Sequence, residues 1–159
     1  MKLSFPLAAA FAAILSLSAC GGGGGDSSGT PAVVNNPAAL TKTDISIGTG
    51  AEAVAGARVQ VNYTGWLYSA AASDFKGTKF DASQPGKPFT FVVGATGTSE
   101  SVIPGFSQGV QGMKVGGKRT ILIPSSLGYG AAGVAGAIPG NTGLVFEVEL
   151  VKVCGSAAC

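Results

Sequence analysis

Arg58-Val59-Gln60-Val61-Asn62-Tyr63-Thr64-Gly65-Trp66-Leu67 is the stretch on which the reading of this chain turns. From Arg58 to Tyr63 polar and apolar residues alternate, the pattern of an antiparallel strand with one face on a core. Leu144-Val145-Phe146-Glu147-Val148-Glu149-Leu150 repeats it, with Phe146, Val148 and Leu150 on one face and Glu147 and Glu149 on the other. Shorter strand candidates lie at residues 44–47, 89–93 and 119–123. One short helix is predicted over residues 106–113: it follows Pro104-Gly105, spaces Phe106, Val110 and Met113 along one face, and is stopped by Gly116-Gly117. These patterns predict an α+β domain, an antiparallel β-sheet wrapped around one short α-helix.

Downstream of the first strand, Gly77-Thr78-Lys79-Phe80-Asp81 sets a ring and a carboxylate on a strand beside Tyr63 and Trp66. That combination points to an apolar pocket with a single acceptor. The chain has no histidine, which removes Ser-His-Asp and Cys-His catalysis and any His ligand for zinc. Three cysteines cannot build a four-cysteine metal site, so neither metal nor cofactor is expected. Gly112 to Lys118 spells G-x-x-x-x-G-K, but Arg119 stands where Ser or Thr should follow and the order is helix then strand, opposite to a phosphate loop. Gly128-Tyr129-Gly130-Ala131-Ala132-Gly133 matches G-x-G-x-x-G without a helix to follow it, because Gly136, Pro139 and Gly140 come next. An apolar surface loop is the better reading. Ten Lys and Arg against eight Asp and Glu imply no nucleic-acid partner.

At 159 residues and 46% hydrophobic, the chain fits one domain with appendages. Met1-Lys2 and the apolar run from Leu3 to Leu17 read as a signal peptide over residues 1–19, too short to span a bilayer, which takes about 20 residues. Leu17-Ser18-Ala19-Cys20 resembles the lipobox of bacterial lipoproteins, in which the cysteine is acylated. A lipidated Cys20 with a Gly/Ser/Pro tether over residues 20–40 would hang the domain from a membrane. The expected location is the bacterial cell envelope. Gly21 after the cysteine suggests the outer membrane, with the domain facing the periplasm.

Seven motifs, in order, resemble the FKBP-type peptidyl-prolyl cis-trans isomerases: Val61-Asn62-Tyr63-Thr64-Gly65, Lys79-Phe80-Asp81, Lys87-Pro88-Phe89-Thr90-Phe91, Val102-Ile103-Pro104-Gly105-Phe106, Met113 to Arg119, Leu127-Gly128-Tyr129-Gly130 and Leu144 to Leu150. The resemblance covers residues 41–153 and implies the FKBP-like fold. It further implies rotation of X-Pro bonds in proline-containing polypeptides, with macrolides as inhibitors. Carried over, the catalytic set is Tyr63, Phe80, Asp81, Phe106, Tyr129 and Phe146, and Phe89, Val102, Ile103 and Ile138 complete the substrate-binding wall. Phe106 would be the floor beneath the proline ring, where the family commonly has Trp. Asp81 would be the acceptor near the twisting carbonyl, and the Tyr129 hydroxyl and Ile103 N–H would donate to bound peptide. A carboxylate and a phenol buried without partners would be costly, which favours a pocket over plain core; Phe91 reads as core.

Departures from the family pattern are an extended segment over residues 69–76, expected to bulge the strand beside Phe80, a longer approach to Val102, and Val134 and Ala137 in the apolar loop. The alternative function is a non-catalytic module holding peptides or a partner in the same pocket. Residues 154–159 form a tail, Cys154-Gly155-Ser156-Ala157-Ala158-Cys159. In an oxidising compartment its small residues let it fold back, so a Cys154–Cys159 disulfide is expected, against unpaired thiols or pairing between molecules.

Overall fold

A computed structural model of the protein describes residues 35–159. The expected signal peptide over residues 1–19, Cys20 and the expected tether as far as residue 34 lie outside the described residues. The elements in chain order are β1 (Thr41–Ser46), β2 (Arg58–Tyr68), β3 (Lys76–Ala82), β4 (Phe89–Val92), α1 (Pro104–Val110), β5 (Lys118–Ile123), a 3-10 turn at Ser125–Leu127, and β6 (Leu144–Gly155).

The strands make one antiparallel sheet in the order β1-β5-β6-β2-β3. Along its outer edge β2 pairs with β4 from Arg58 to Val61 and with β3 from Thr64 to Tyr68. The alternation seen in the sequence sorts these strands cleanly: Val59, Val61, Leu144, Val148 and Leu150 are buried on the inner face, while Glu147 and Glu149 point outward and reach Lys76 and Lys118. Pairing of β2 with β3 slips on both sides of Trp66, beside the extended 69–76 segment, where Phe75 takes a φ of 60° and stacks on Tyr68.

The helix lies across the inner face and is shorter than its apolar spacing suggested. It begins two residues earlier, because Pro104 presets the first helical φ and the Ile103 carbonyl accepts the Phe106 and Ser107 N–H groups. It ends at Val110, since Gly112 turns to a φ of 84° and gives its N–H to Ala53. Seven residues would not hold a helix alone. Tertiary contacts supply what is missing: Gly105 and Gly109 have no side chains to separate them from Ile123 and Ile121, and the Arg119 Nη1 donates to the carbonyls of Gly109 and Gln111 at 2.9 and 3.2 Å. Phe106, Val110 and Met113 are buried against the sheet.

β1 runs over Thr41–Ser46 rather than residues 44–47, exposed along its length. Besides its pairing with β5 it is tied by Arg119, whose Nε donates to Asp44 Oδ1 at 2.6 Å. That hydrogen bond keeps the Asp44 carboxyl below its usual range, against the opposing pull of burial.

Both ends of the domain depart from the expected boundaries. The sequence pattern places residues 35–40 in the tether. Instead they lie on the domain, with Pro37 buried and Leu40 packed on the core. At the other end β6 continues through Cys154 and Gly155, and a disulfide joins Cys154 to Cys159 with Cα atoms 5.3 Å apart.

Candidate active site

The long strand β2 turns Tyr63 inward over the helix, and the glycine two residues on makes room for what Tyr63 faces. A Cβ at Gly65 would strike the rings of Phe80 and Phe146, so these two aromatics, from β3 and β6, meet edge-on at 5.7 Å only because position 65 is bare. Phe106, the first inward residue of α1, sits beneath them. Its ring is 5.0 Å from Phe146, 5.7 Å from Tyr63 and 5.4 Å from Phe91, all edge to face, the favoured arrangement for aromatic quadrupoles.

Above Phe106 lies a cavity of about 260 Å³ lined by Tyr63, Phe80, Asp81, Phe89, Val102, Ile103, Tyr129, Phe146 and Ser101. Nine of the ten residues singled out as catalytic or substrate-binding therefore converge on one space. Phe91 is fully buried behind Phe106 as core. No motif in the sequence marks Ser101. It precedes Val102 at the end of a segment read as an insertion, and its hydroxyl donates to the Thr98 carbonyl at 2.6 Å.

Ile138 is the exception. The loop closes on itself there, with reciprocal backbone hydrogen bonds between Val134 and Ile138 at 2.8 and 2.9 Å. The Ile138 side chain is thereby carried into the core, 4% exposed. It lines a second hollow with Leu67, Val134 and Pro139 and is not among the residues that line the aromatic cavity.

The polar groups gather at the mouth rather than in the interior. Asp81 is exposed and Tyr129 is 39% exposed, so neither is the buried polar group that the sequence pattern implies. What fixes Asp81 is hydrogen bonding: Oδ2 accepts the Tyr63 hydroxyl at 2.7 Å and Oδ1 accepts its neighbour's amide, Ala82 N–H, at 2.8 Å. Partial burial, reinforced by the Asp81 bond and charge, pushes the Tyr63 phenol far above its ordinary range, and burial followed by the Asp81 charge raises Tyr129. Both phenols are thus neutral donors in ordinary conditions. The Ile103 carbonyl is committed to the first turn of α1, while its N–H donates to no group among the described residues.

A deep aromatic floor with a hydrogen-bonding mouth has the shape and chemistry to receive a small apolar ring while its rim meets a polar chain. The same architecture is found in solved structures. A peptidyl-prolyl cis-trans isomerase from Pseudomonas syringae pv. tomato superposes with a TM-score of 0.59 at 35% identity, over 79% of this chain and 83% of that one. The FK506-binding protein of Neisseria meningitidis serogroup A is 47% identical over 111 residues, 69% of this chain and 92% of the relative. Peptidyl-prolyl cis-trans isomerase FPR2 of Saccharomyces cerevisiae is 47% identical over 107 residues, 67% of this chain and 72% of the relative. The sequence model of the FKBP-type peptidyl-prolyl cis-trans isomerases matches residues 50–151. The chain belongs to that family, and its activity is rotation about X-Pro peptide bonds.

Proposed function

We propose that the aromatic cavity is the catalytic site and that its clients are proline-containing polypeptides exported to the bacterial cell envelope. The observation that carries the assignment is the cavity itself, apolar in its walls with its one carboxylate at the mouth. Rotation about an X-Pro bond faces a barrier of about 18–20 kcal/mol because twisting forfeits amide resonance. The planar amide is the more polar state. An environment that withdraws water from it raises its energy relative to the twisted amide, and a barrier lowered by about 4 kcal/mol gives about a thousandfold acceleration.

In this reading the proline ring sits on Phe106 between Tyr63, Phe80 and Phe146, with Phe89, Val102 and Ile103 against the preceding residue. Tyr129 and the Ile103 N–H donate to peptide carbonyls. Asp81, held by Tyr63 and Ala82, offers its remaining lone pairs as an acceptor beside the turning bond. The name of the Neisseria relatives ties them to FK506, and the same pocket would take a macrolide here. With the full chain, cis-trans exchange of a short X-Pro peptide should accelerate, most strongly for apolar X. A rate equal to the buffer blank from folded protein would move the site to the alternative, a module that binds peptide without turning it.

The envelope location rests on Leu17-Ser18-Ala19-Cys20 and the apolar run before it. Acylation of Cys20 would tie the domain to a membrane, at about 0.8 kcal/mol per buried methylene. Cys20→Ser should release the protein from the membrane fraction or leave it uncleaved; correctly cleaved variant still sedimenting with membranes would place the anchor elsewhere.

A further inference from the structure

Tyr129 sits on the long connection between β5 and β6, and the contacts that fix this connection come from outside the strands. The carbonyl of Ser125 accepts the N–H groups of Gly128 at 3.0 Å and Gly130 at 2.8 Å, so Tyr129 is held between two amides that converge on one oxygen. The Ser125 N–H, at the start of the 3-10 turn, has no partner within that turn. It donates to the side-chain Oδ1 of Asn36, 2.7 Å away and 89 residues earlier in the chain.

Asn36 is itself pinned where the same connection ends. The Asn35 carbonyl accepts the Gly143 N–H at 2.8 Å, and the Gly143 carbonyl accepts the N–H of Tyr68 on β2 at 2.8 Å. Gly143 is buried, and a Cβ there would collide with Pro37 and press on Asn36. Residues 35–37 thus clasp both ends of the segment that carries Tyr129. The start of the segment depends on a side chain that nothing in the strand pattern required.

We propose that Asn36 is a positioning residue for Tyr129: by capping the 3-10 turn it fixes the Ser125 peptide, whose carbonyl fixes the two glycine amides on either side of Tyr129. The catalytic consequence rests on the reading that the Tyr129 hydroxyl donates to the bound peptide. Losing one partly buried hydrogen bond of this kind loosens a turn by about threefold to tenfold in equilibrium, so the effect on kcat/KM should fall within that range.

The test uses the full chain with Asn36→Ala, Asn36→Asp and Tyr129→Phe, alone and combined, at a temperature where circular dichroism shows all of them folded. Amide exchange of Ser125 and Gly130 and the ring resonances of Tyr129 report position, and kcat/KM on an X-Pro peptide reports its use. Asn36→Ala should speed exchange at both amides, shift the Tyr129 ring and lower kcat/KM about fivefold; Asn36→Asp, which keeps an acceptor oxygen, should restore most of both. In the Tyr129→Phe background Asn36→Ala should lower kcat/KM little further. An equal loss in both backgrounds, or Tyr129 resonances unmoved by Asn36→Ala, would overturn the proposal. If Tyr129→Phe alone keeps full kcat/KM, the role assigned to the hydroxyl fails, and the Tyr129 ring resonances alone decide whether Asn36 positions the residue.

Discussion

Phe106 at the floor of the cavity is 4% exposed and touches Tyr63, Phe91 and Phe146 edge to face, whereas Tyr129 at the mouth is 39% exposed and stands on a loop. The two ends of the site are made by different physics. The floor is a piece of the hydrophobic core that has been left open on one side, so on the proposed reading its residues serve folding and catalysis at once. The mouth is assembled from hydrogen bonds to one exposed carboxylate, Asp81 with the half-buried Tyr63 and the Ala82 amide, and contributes little to folding. Stability and activity should therefore separate along the depth of the pocket.

Phe106→Ala offers the largest effect. It removes the ring shared by the cavity and the core, and should cost about 3–5 kcal/mol in chemical denaturation along with most of the activity. A variant that folds with near-native stability would show that the floor is not core after all.

Asp81→Ala should do the reverse. Its stability should stay within about 0.5 kcal/mol of the parent, as at other exposed sites, while kcat/KM drops about tenfold, the equivalent of one charge-assisted hydrogen bond. A variant with unchanged kcat/KM would remove Asp81 from the mechanism and leave the aromatic walls alone.

The smallest effect is a pH dependence. The Tyr63 phenol is raised in the folded protein by burial and by Asp81, so the fold prefers its protonated form. Its contribution is fully present below the ordinary phenol value of about 10 and is lost as pH climbs above that towards the folded value. The melting temperature should accordingly fall in strongly alkaline buffer, and less so in Tyr63→Phe, which has no proton to lose. An identical alkaline decline in both proteins would show that Tyr63 is not its source.

Much of this arrangement was legible in the chain. The period of two from Arg58 to Tyr63 and from Leu144 to Leu150 places Val59, Val61, Phe146 and Val148 inward, because a strand alternates faces whatever its neighbours are. The pocket set was legible for another reason: seven ordered motifs resemble one family, and nine of its ten carried-over positions meet in the cavity. Helix bounds were not. Spacing locates the apolar face of α1 but says nothing of Gly112 giving its N–H to Ala53, the bond that draws the chain away after Val110.

The covalent sequence was enough to set which face of each strand is apolar, that a single helix could be accommodated, and that no histidine chemistry was available. These follow from composition and from repeats a few residues long. Other outcomes depended on partners far apart in the chain. Ile138 lies in the core where its loop closes on Val134, Asp81 takes its orientation from Tyr63, and Arg119, which breaks the phosphate-loop pattern, links β1 to the end of α1. A hydrogen bond between residues 36 and 125 has no local signature. Its acceptor and donor are related only through the pairing of β5, β6 and β2, which sets both ends of the Tyr129 segment where residues 35–37 cross.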